Sequence, residues 1–183
     1  GRDGPTLIRI EPKTGSTAGS LTNLSVRSYV DPQESPLIVG FVAAGTGGTL
    51  RALVRASGPA LVPFGVTDAL PNPNLELFLD SVRTVENNDW PENLAPLFAA
   101  VGAFSFPAAS FDAALVSGLG AGSYSALIQP STGTGAGTAL AEVYAMPEPG
   151  QGSRRLVNAS ARGRVGPDRP LIAGFSLQGE VPR

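Results

Sequence analysis

The side chains able to do chemistry in this chain are few. There is no His and no Cys among its 183 residues. That excludes disulfides, thiolate nucleophiles, Ser-His and Cys-His relays and most zinc or copper sites. The densest group of oxygen donors is Asp80, Asn87, Asn88, Asp89 and Glu92. Clusters of this kind at strand ends can hold Ca²⁺, which takes about 6–8 oxygens. Asp80, Asn87, Asn88 and Asp89 are therefore the candidate ligands for a structural calcium, with Asp112 a further carboxylate aimed at the same region. Turn chemistry is the competing account, with Asp89 capping a helix. Their spacing matches no EF-hand loop. Paired carboxylates could also hydrolyse a glycoside, but a sugar cleft needs aromatic platforms, and the chain has one Trp and three Tyr. No catalytic residue and no other cofactor is expected.

Two glycine-rich stretches, Gly45–Gly48 and Ser131–Gly137, resemble phosphate cradles only superficially. A P-loop needs Lys beside Ser or Thr at a helix start, and the one Lys, Lys13, lies elsewhere. Both are expected to be hairpin turns. Asn23-Leu24-Ser25 and Asn158-Ala159-Ser160 fit the glycosylation pattern, but they occupy equivalent places in a repeat, which favours a shared structural role at a bulge.

The elements that must position these residues are strands. With 23 Gly, 17 Pro and 42% hydrophobic residues, the composition suits short strands joined by many turns. Strand-like runs cover Thr6–Glu11, Leu21–Val30, Leu37–Ala43, Leu50–Ala56, Leu75–Asp80, Arg83–Glu86, Ala113–Ser117, Ser123–Gln129 and Thr138–Met146. Pro59–Phe64 suits a single helical turn. Asp89-Trp90-Pro91-Glu92 followed by Leu94, Leu97, Phe98 and Val101 predicts one short helix, with Trp90 pinning it to the sheet. The expected fold is all-β: a β-sandwich or jelly roll of about ten strands with one short helix.

The most informative pattern is an internal repeat. Residues 21–45 and 156–179 align with one gap and share Leu21/Leu156, Asn23/Asn158, Ser25/Ser160, Arg27/Arg162, Val30/Val165 and Pro32/Pro167. Past the gap follow Pro36/Pro170, Leu37/Leu171, Ile38/Ile172, Gly40/Gly174, Phe41/Phe175 and Gly45/Gly179. The chain thus divides into an N-terminal extension (1–20), a body (21–146), a linker (147–153) and the opening strands of a second copy (154–183).

The runs LTNLSVRSYV, PLIVGFVAAGTGG, RALVRASGPALVPFGV, ENNDW and GSYSALIQP…AEVY resemble a repeat of large secreted, multi-repeat bacterial proteins. GSY and EVY also resemble the last hairpin of pre-peptidase C-terminal-type β-sandwiches. The resemblance implies an extracellular or cell-surface, non-catalytic module.

A lone β segment cannot satisfy its backbone groups. The second copy must therefore fold back on its own body or be accepted by another subunit. Charge suits docking either way: residues 154–183 carry a net +4, six Arg against Asp168 and Glu180, while the rest carries −6, seven basic against thirteen acidic groups. The favoured expectation is self-association by terminal strand exchange, giving a filament or surface array. Its interface residues would be Leu7, Ile8, Ile10, Leu156, Arg162, Arg164, Leu171, Ile172 and Phe175. A carbohydrate-binding or adhesive module with structural calcium is the alternative. A formal net charge of −2 argues against a nucleic-acid partner. No apolar run reaches the roughly 20 residues of a membrane span.

Overall fold

The structure, a computed structural model, describes residues 4–10, 20–33, 36–133, 135–149 and 152–179. Parts of the N-terminal extension, the linker and the tail, including Glu11, Lys13, Glu180 and Arg183, lie outside the described residues.

Among the described residues eleven strands form: β1 (Gly4–Ile10), β2 (Ser20–Val30), β3 (Leu37–Ala44), β4 (Leu50–Ser57), β5 (Pro73–Leu79), β6 (Val82–Asn87), β7 (Ala113–Leu119), β8 (Gly122–Pro130), β9 (Gly137–Met146), β10 (Arg155–Val165) and β11 (Ile172–Gln178). One short helix, α1 (Ala95–Ala100), follows a 3₁₀ turn over Glu92–Leu94, and a second 3₁₀ turn spans Pro59–Phe64. The all-β class with one short helix is as the residue pattern implies.

The strands are linked into one curled sheet. The strands join in a single path, β6-β5-β8-β3-β10-β2-β9-β4-β7, with β1 beside β10 and β11 beside β2. The two arms meet where β2 and β10 run parallel, bridged at Leu21/Leu156 and Tyr29/Arg164; the neighbouring ladders are antiparallel. At the far ends, the Asn87 side chain of β6 accepts a hydrogen bond from Ala114 N of β7 (2.9 Å), so the curled sheet nearly closes into a barrel. Its interior is filled by the alternate residues of every long strand, Leu24, Val26, Val39, Phe41, Val54, Leu75, Leu77, Ala126, Ile128, Ala141 and Val143 among them. Small residues make the seam possible. Ala159, Ala161 and Gly163 on β10 are buried, and a Cβ on Gly163 would come within 2.6 Å of Ser28 Oγ on β2.

The glycine-rich stretches do not close hairpins. Gly45 and Gly47, with φ of 109° and 100°, carry the chain from β3 in one arm to β4 in the other, and residues 131–136 carry it from β8 to β9. Positive φ is needed, as glycine allows, but for crossings between arms. Arg154 clamps the first crossing, donating to the carbonyls of Gly45 (2.6 Å), Gly47 (3.1 Å) and Gly48 (3.2 Å). It thereby anchors the start of β10.

A second, smaller core lies outside the barrel on β4, β7 and β9. Trp90, Phe98 and Phe106 pack there with Leu53 and Ala114, ring to ring at 5.0–5.6 Å. Trp90 pins α1 to the sheet as its position suggests. Asp89, in contrast, caps nothing: neither helical turn has a side-chain cap, and α1 starts directly from the preceding 3₁₀ turn. The working carboxylate is the buried Asp112, which accepts from Gly58 N (2.6 Å), Ala60 N (3.2 Å) and Ser110 Oγ (2.7 Å). It fastens the Pro59–Phe64 turn instead of facing the 80–89 region.

Candidate assembly edges

The repeated segments occupy equivalent places. β3 of the first copy pairs with β10 of the second, and β11 of the second pairs with β2 of the first. The registers agree residue for residue: Ile38↔Arg162 matches Ile172↔Arg27, Gly40↔Ser160 matches Gly174↔Ser25, and Phe41↔Ala159 matches Phe175↔Leu24. Both ladders slip by one residue at the same point, beside Asn158 and Asn23, so Val157 and Thr22 are the extra, bulged residues. The shared Asn thus flanks a bulge, and Asn23 Nδ2 reaches Val143 O at 3.5 Å. An approximate two-fold axis along the parallel β2–β10 seam relates the halves.

The same axis accounts for β1. β9 pairs with β2 through Leu140↔Arg27 and Val143↔Leu24; β1 pairs with β10 through Leu7↔Arg162 and Ile10↔Ala159. In register, Gly4 stands for Gly137 and Leu7 for Leu140. β1 therefore fills the place beside β10 that a β9 strand fills beside β2. Two of the seven residues paired this way, Gly4 and Leu7, match their counterparts Gly137 and Leu140 in type.

β3 has β8 on its outer side and β9 has β4, whereas among the described residues no strand pairs with the outer side of β11 or of β1. The consequences sit on identical residues. Phe41 is 2% exposed and stacks on Tyr124 of β8 at 5.7 Å and 8°; Phe175 is 46% exposed. Ile172 is 45% exposed and Leu177 66%, where its equivalent Ala43 is buried. On the other half, Ser25, Arg27, Leu140, Ile172 and Gly174 floor an open groove of about 430 Å³ walled by Leu61, Phe64, Val66 and Phe104. Of the equivalents Ser160, Arg162, Leu7, Ile38 and Gly40, Arg162 is exposed and Leu7 is 65% exposed.

No protein-family model, no curated protein and no solved structure matches the chain. The reading of its role rests on these edges.

The anticipated interface residues split into two groups. Leu156 lies in the barrel core, and Ile8, Ile10 and Leu171 pack against it. They are spent inside their own chain, because the second copy folds back onto β2 and β3. Leu7, Ile172 and Phe175 are exposed at the open edges; Arg162 is exposed and Arg164 half-buried on β10.

The anticipated calcium ligands are not brought together. Asp80 sits in the β5–β6 turn, and Asn87 lies at the far end of β6, roughly 17 Å away at about 3.3 Å per residue. Asn87 is committed to Ala114 N and to Asp89 O, which accepts from its Nδ2 at 2.9 Å. Asn88 is half-buried and Asp89 exposed. No group of three or more His, Cys, Asp or Glu able to hold a metal ion occurs among the described residues.

The strongest electrostatic feature went unnoticed in the residue pattern. Arg55 of β4 is fully buried, its guanidinium 4.1–4.5 Å from the ring centres of Phe98, Phe104 and Phe106. It donates to Phe104 O (2.8 Å) and stands 3.3 Å from Glu142, its cross-strand partner on β9. Tyr144 Oη donates to Glu142 at 2.7 Å. Burial lowers the Arg55 pKa, against the pull of Glu142. Burial likewise raises that of Glu142, which Arg55 only partly offsets. Burial and the Glu142 charge also raise Tyr144. Three phenylalanines enclose the Arg55 guanidinium, so the cluster fastens the aromatic core to the sheet, while Tyr144 at its margin also lines an open cavity of about 620 Å³ with Arg51, Leu97 and Met146.

Proposed function

We propose that this protein is a non-catalytic structural module of an extracellular or cell-surface assembly, joining to copies of itself through its terminal strands into a filament or array. The single observation that carries the reading is the exposure of apolar residues on β1 and β11, Leu7, Ile172, Phe175 and Leu177, on strands that have one full ladder partner each among the described residues. An open edge presents unpaired N–H and C=O groups and accepts another strand. Here the two edges differ, so a β1-to-β11 contact is heterologous and propagates unless it closes a ring. The terminal strands work as joints while remaining paired within their own chain, in place of the full exchange of the tail between subunits. The lack of His and Cys and the enclosure of the Arg55–Glu142 pair support a role without turnover. The secreted setting rests on the resemblance to bacterial surface repeats.

The test is light scattering coupled to size exclusion over a concentration series, with electron microscopy. Concentration-dependent oligomers that Leu7→Asp or Ile172→Asp disperses are expected. A monomer at every concentration would sink the reading.

A further inference from the structure

We propose that the outer face of the β5–β6–β8 arm carries a calcium site built on Asn74, Glu76 and Glu86. The site is independent of how copies of the chain assemble.

Leu75 and Leu77 of β5 belong to the barrel core, so Asn74 and Glu76 fall on the opposite face by strand alternation. Register sets Gln129 of β8 opposite Asn74, and Glu86 of β6 opposite Glu76. Polar side chains on the outside of a sheet normally stay in water, yet Asn74 is 7% and Glu76 9% exposed. Gln129 Nε2 donates to Glu76 Oε1 at 2.9 Å and helps to hold that carboxylate in place.

The Asn74 amide lies between the two carboxylates. Its Nδ2 is 3.3 Å from Glu76 Oε1 and 3.3 Å from Glu86 Oε1. Its Oδ1 is buried and has no hydrogen-bond partner among the described residues. Buried polar atoms are nearly always paired, and an orphan amide oxygen beside two carboxylates is a donor set that a hard cation completes. A half-turn of the amide sets Oδ1 where Nδ2 stands, 3.3 Å from both carboxylate oxygens. Oxygens at right angles around Ca²⁺, bound at about 2.4 Å, stand roughly 3.4 Å apart, whereas around Mg²⁺, bound at about 2.05 Å, they stand roughly 2.9 Å apart. The spacing suits calcium. Asn72, just before β5, and Asn88, just after β6, each keep a buried Oδ1 without a partner among the described residues. These oxygens can join the shell or accept from the turned Nδ2, and water supplies the rest.

Arg83 stands on the other oxygen of each carboxylate, 3.4 Å from Glu76 Oε2 and 2.6 Å from Glu86 Oε2. Both Oε1 atoms are thereby left to the ion. Two carboxylates against one guanidinium give the group a net charge of −1, which sets the affinity in the weak range of about 10⁻⁴–10⁻³ M.

The test is calorimetric titration of the intact, chelator-dialysed chain with CaCl₂ and, separately, MgCl₂, with melts at about 10 mM of each ion. One calcium per chain is expected, with a Kd of about 0.5 mM and a Tm raised by about 5 °C. Magnesium should raise Tm by less than half as much. Glu86→Gln, which keeps the shape of a half-exposed side chain, should weaken calcium binding at least tenfold. Arg83→Gln should tighten it about fivefold. Asp80→Asn, at the opposite end of the β5–β6 ribbon, should leave it unchanged. No heat and no Tm shift at about 10 mM calcium overturns the proposal, as does an equal response to magnesium. Binding that survives Glu86→Gln, or is lost with Asp80→Asn, overturns it too. Oligomeric state does not enter these readouts, so the assembly reading stands or falls separately.

Discussion

Phe41 and Phe175 are the same residue of the same repeat in two states of completion, so truncating each to Ala is a matched experiment. Phe41 is 2% exposed and stacked on Tyr124; Phe175 is 46% exposed, with β2 its one ladder partner among the described residues. Phe41→Ala forfeits the full transfer energy of the ring and leaves a cavity that the barrel cannot collapse, about 3–5 kcal/mol. Phe175→Ala forfeits roughly half of a transfer energy of about 2–3 kcal/mol and leaves no cavity, so it costs about 1 kcal/mol. For a domain of this size each kcal/mol moves Tm by about 2–4 °C. Phe41→Ala should therefore lower Tm by about 10 °C and Phe175→Ala by about 3 °C. Both melts belong at low protein concentration, where edge contacts are dissociated, with urea midpoints as a second readout. Equal losses for the two variants would refute the reasoning, since the β11 edge would then be covered in the isolated chain.

Arg55→Ala should cost about 3–5 kcal/mol in urea unfolding at pH 7, because it empties the space between three phenylalanines and strands Glu142. Glu142→Gln should cost about 3–5 kcal/mol at pH 7, because the buried Arg55 guanidinium loses its counter-charge. Burial sets the sign in pH: a carboxyl whose folded pKa is raised adds stability below its ordinary value of 4.5 and loses it as pH rises through the folded value. The parent should accordingly lose stability relative to Glu142→Gln as pH increases above about 4.5, and a flat difference would contradict it. Asp112→Ala should cost about 1–3 kcal/mol, since Gly58 N, Ala60 N and Ser110 Oγ lose their acceptor; an unchanged melt would remove its role in fastening the 59–64 turn. Removing residues 154–183 withdraws Leu156, Ala159 and Ala161 from the core and bares β2 and β3, so the truncated chain should lose its cooperative melt. A shortened chain that melts like the parent would mean the tail is not integral.

Much of this protein was legible in its residues. Period-two alternation and turn residues place the strands because side chains of a half-buried strand alternate faces whatever the strand pairs with. The absence of His and Cys restricts the chemistry without reference to shape. The repeat showed that residues 154–179 must find sheet partners, because backbone groups leave water only when paired. Which partners they find is a tertiary matter. The parallel seam of β2 and β10, the reciprocal pairing of β3 and β11, and the substitution of β1 for a β9 strand depend on contacts between residues more than a hundred positions apart. Local pattern carries no such information. The oxygen-rich run from Asp80 to Asp89 looked like one site because its members are close along the chain, yet an extended strand puts its two ends far apart. Arg55 and Glu142 lie 87 positions apart and meet because β4 and β9 pair in that register. Phe41 and Phe175 are identical by sequence, and one is core while the other is edge, because burial belongs to the neighbouring strand and not to the residue.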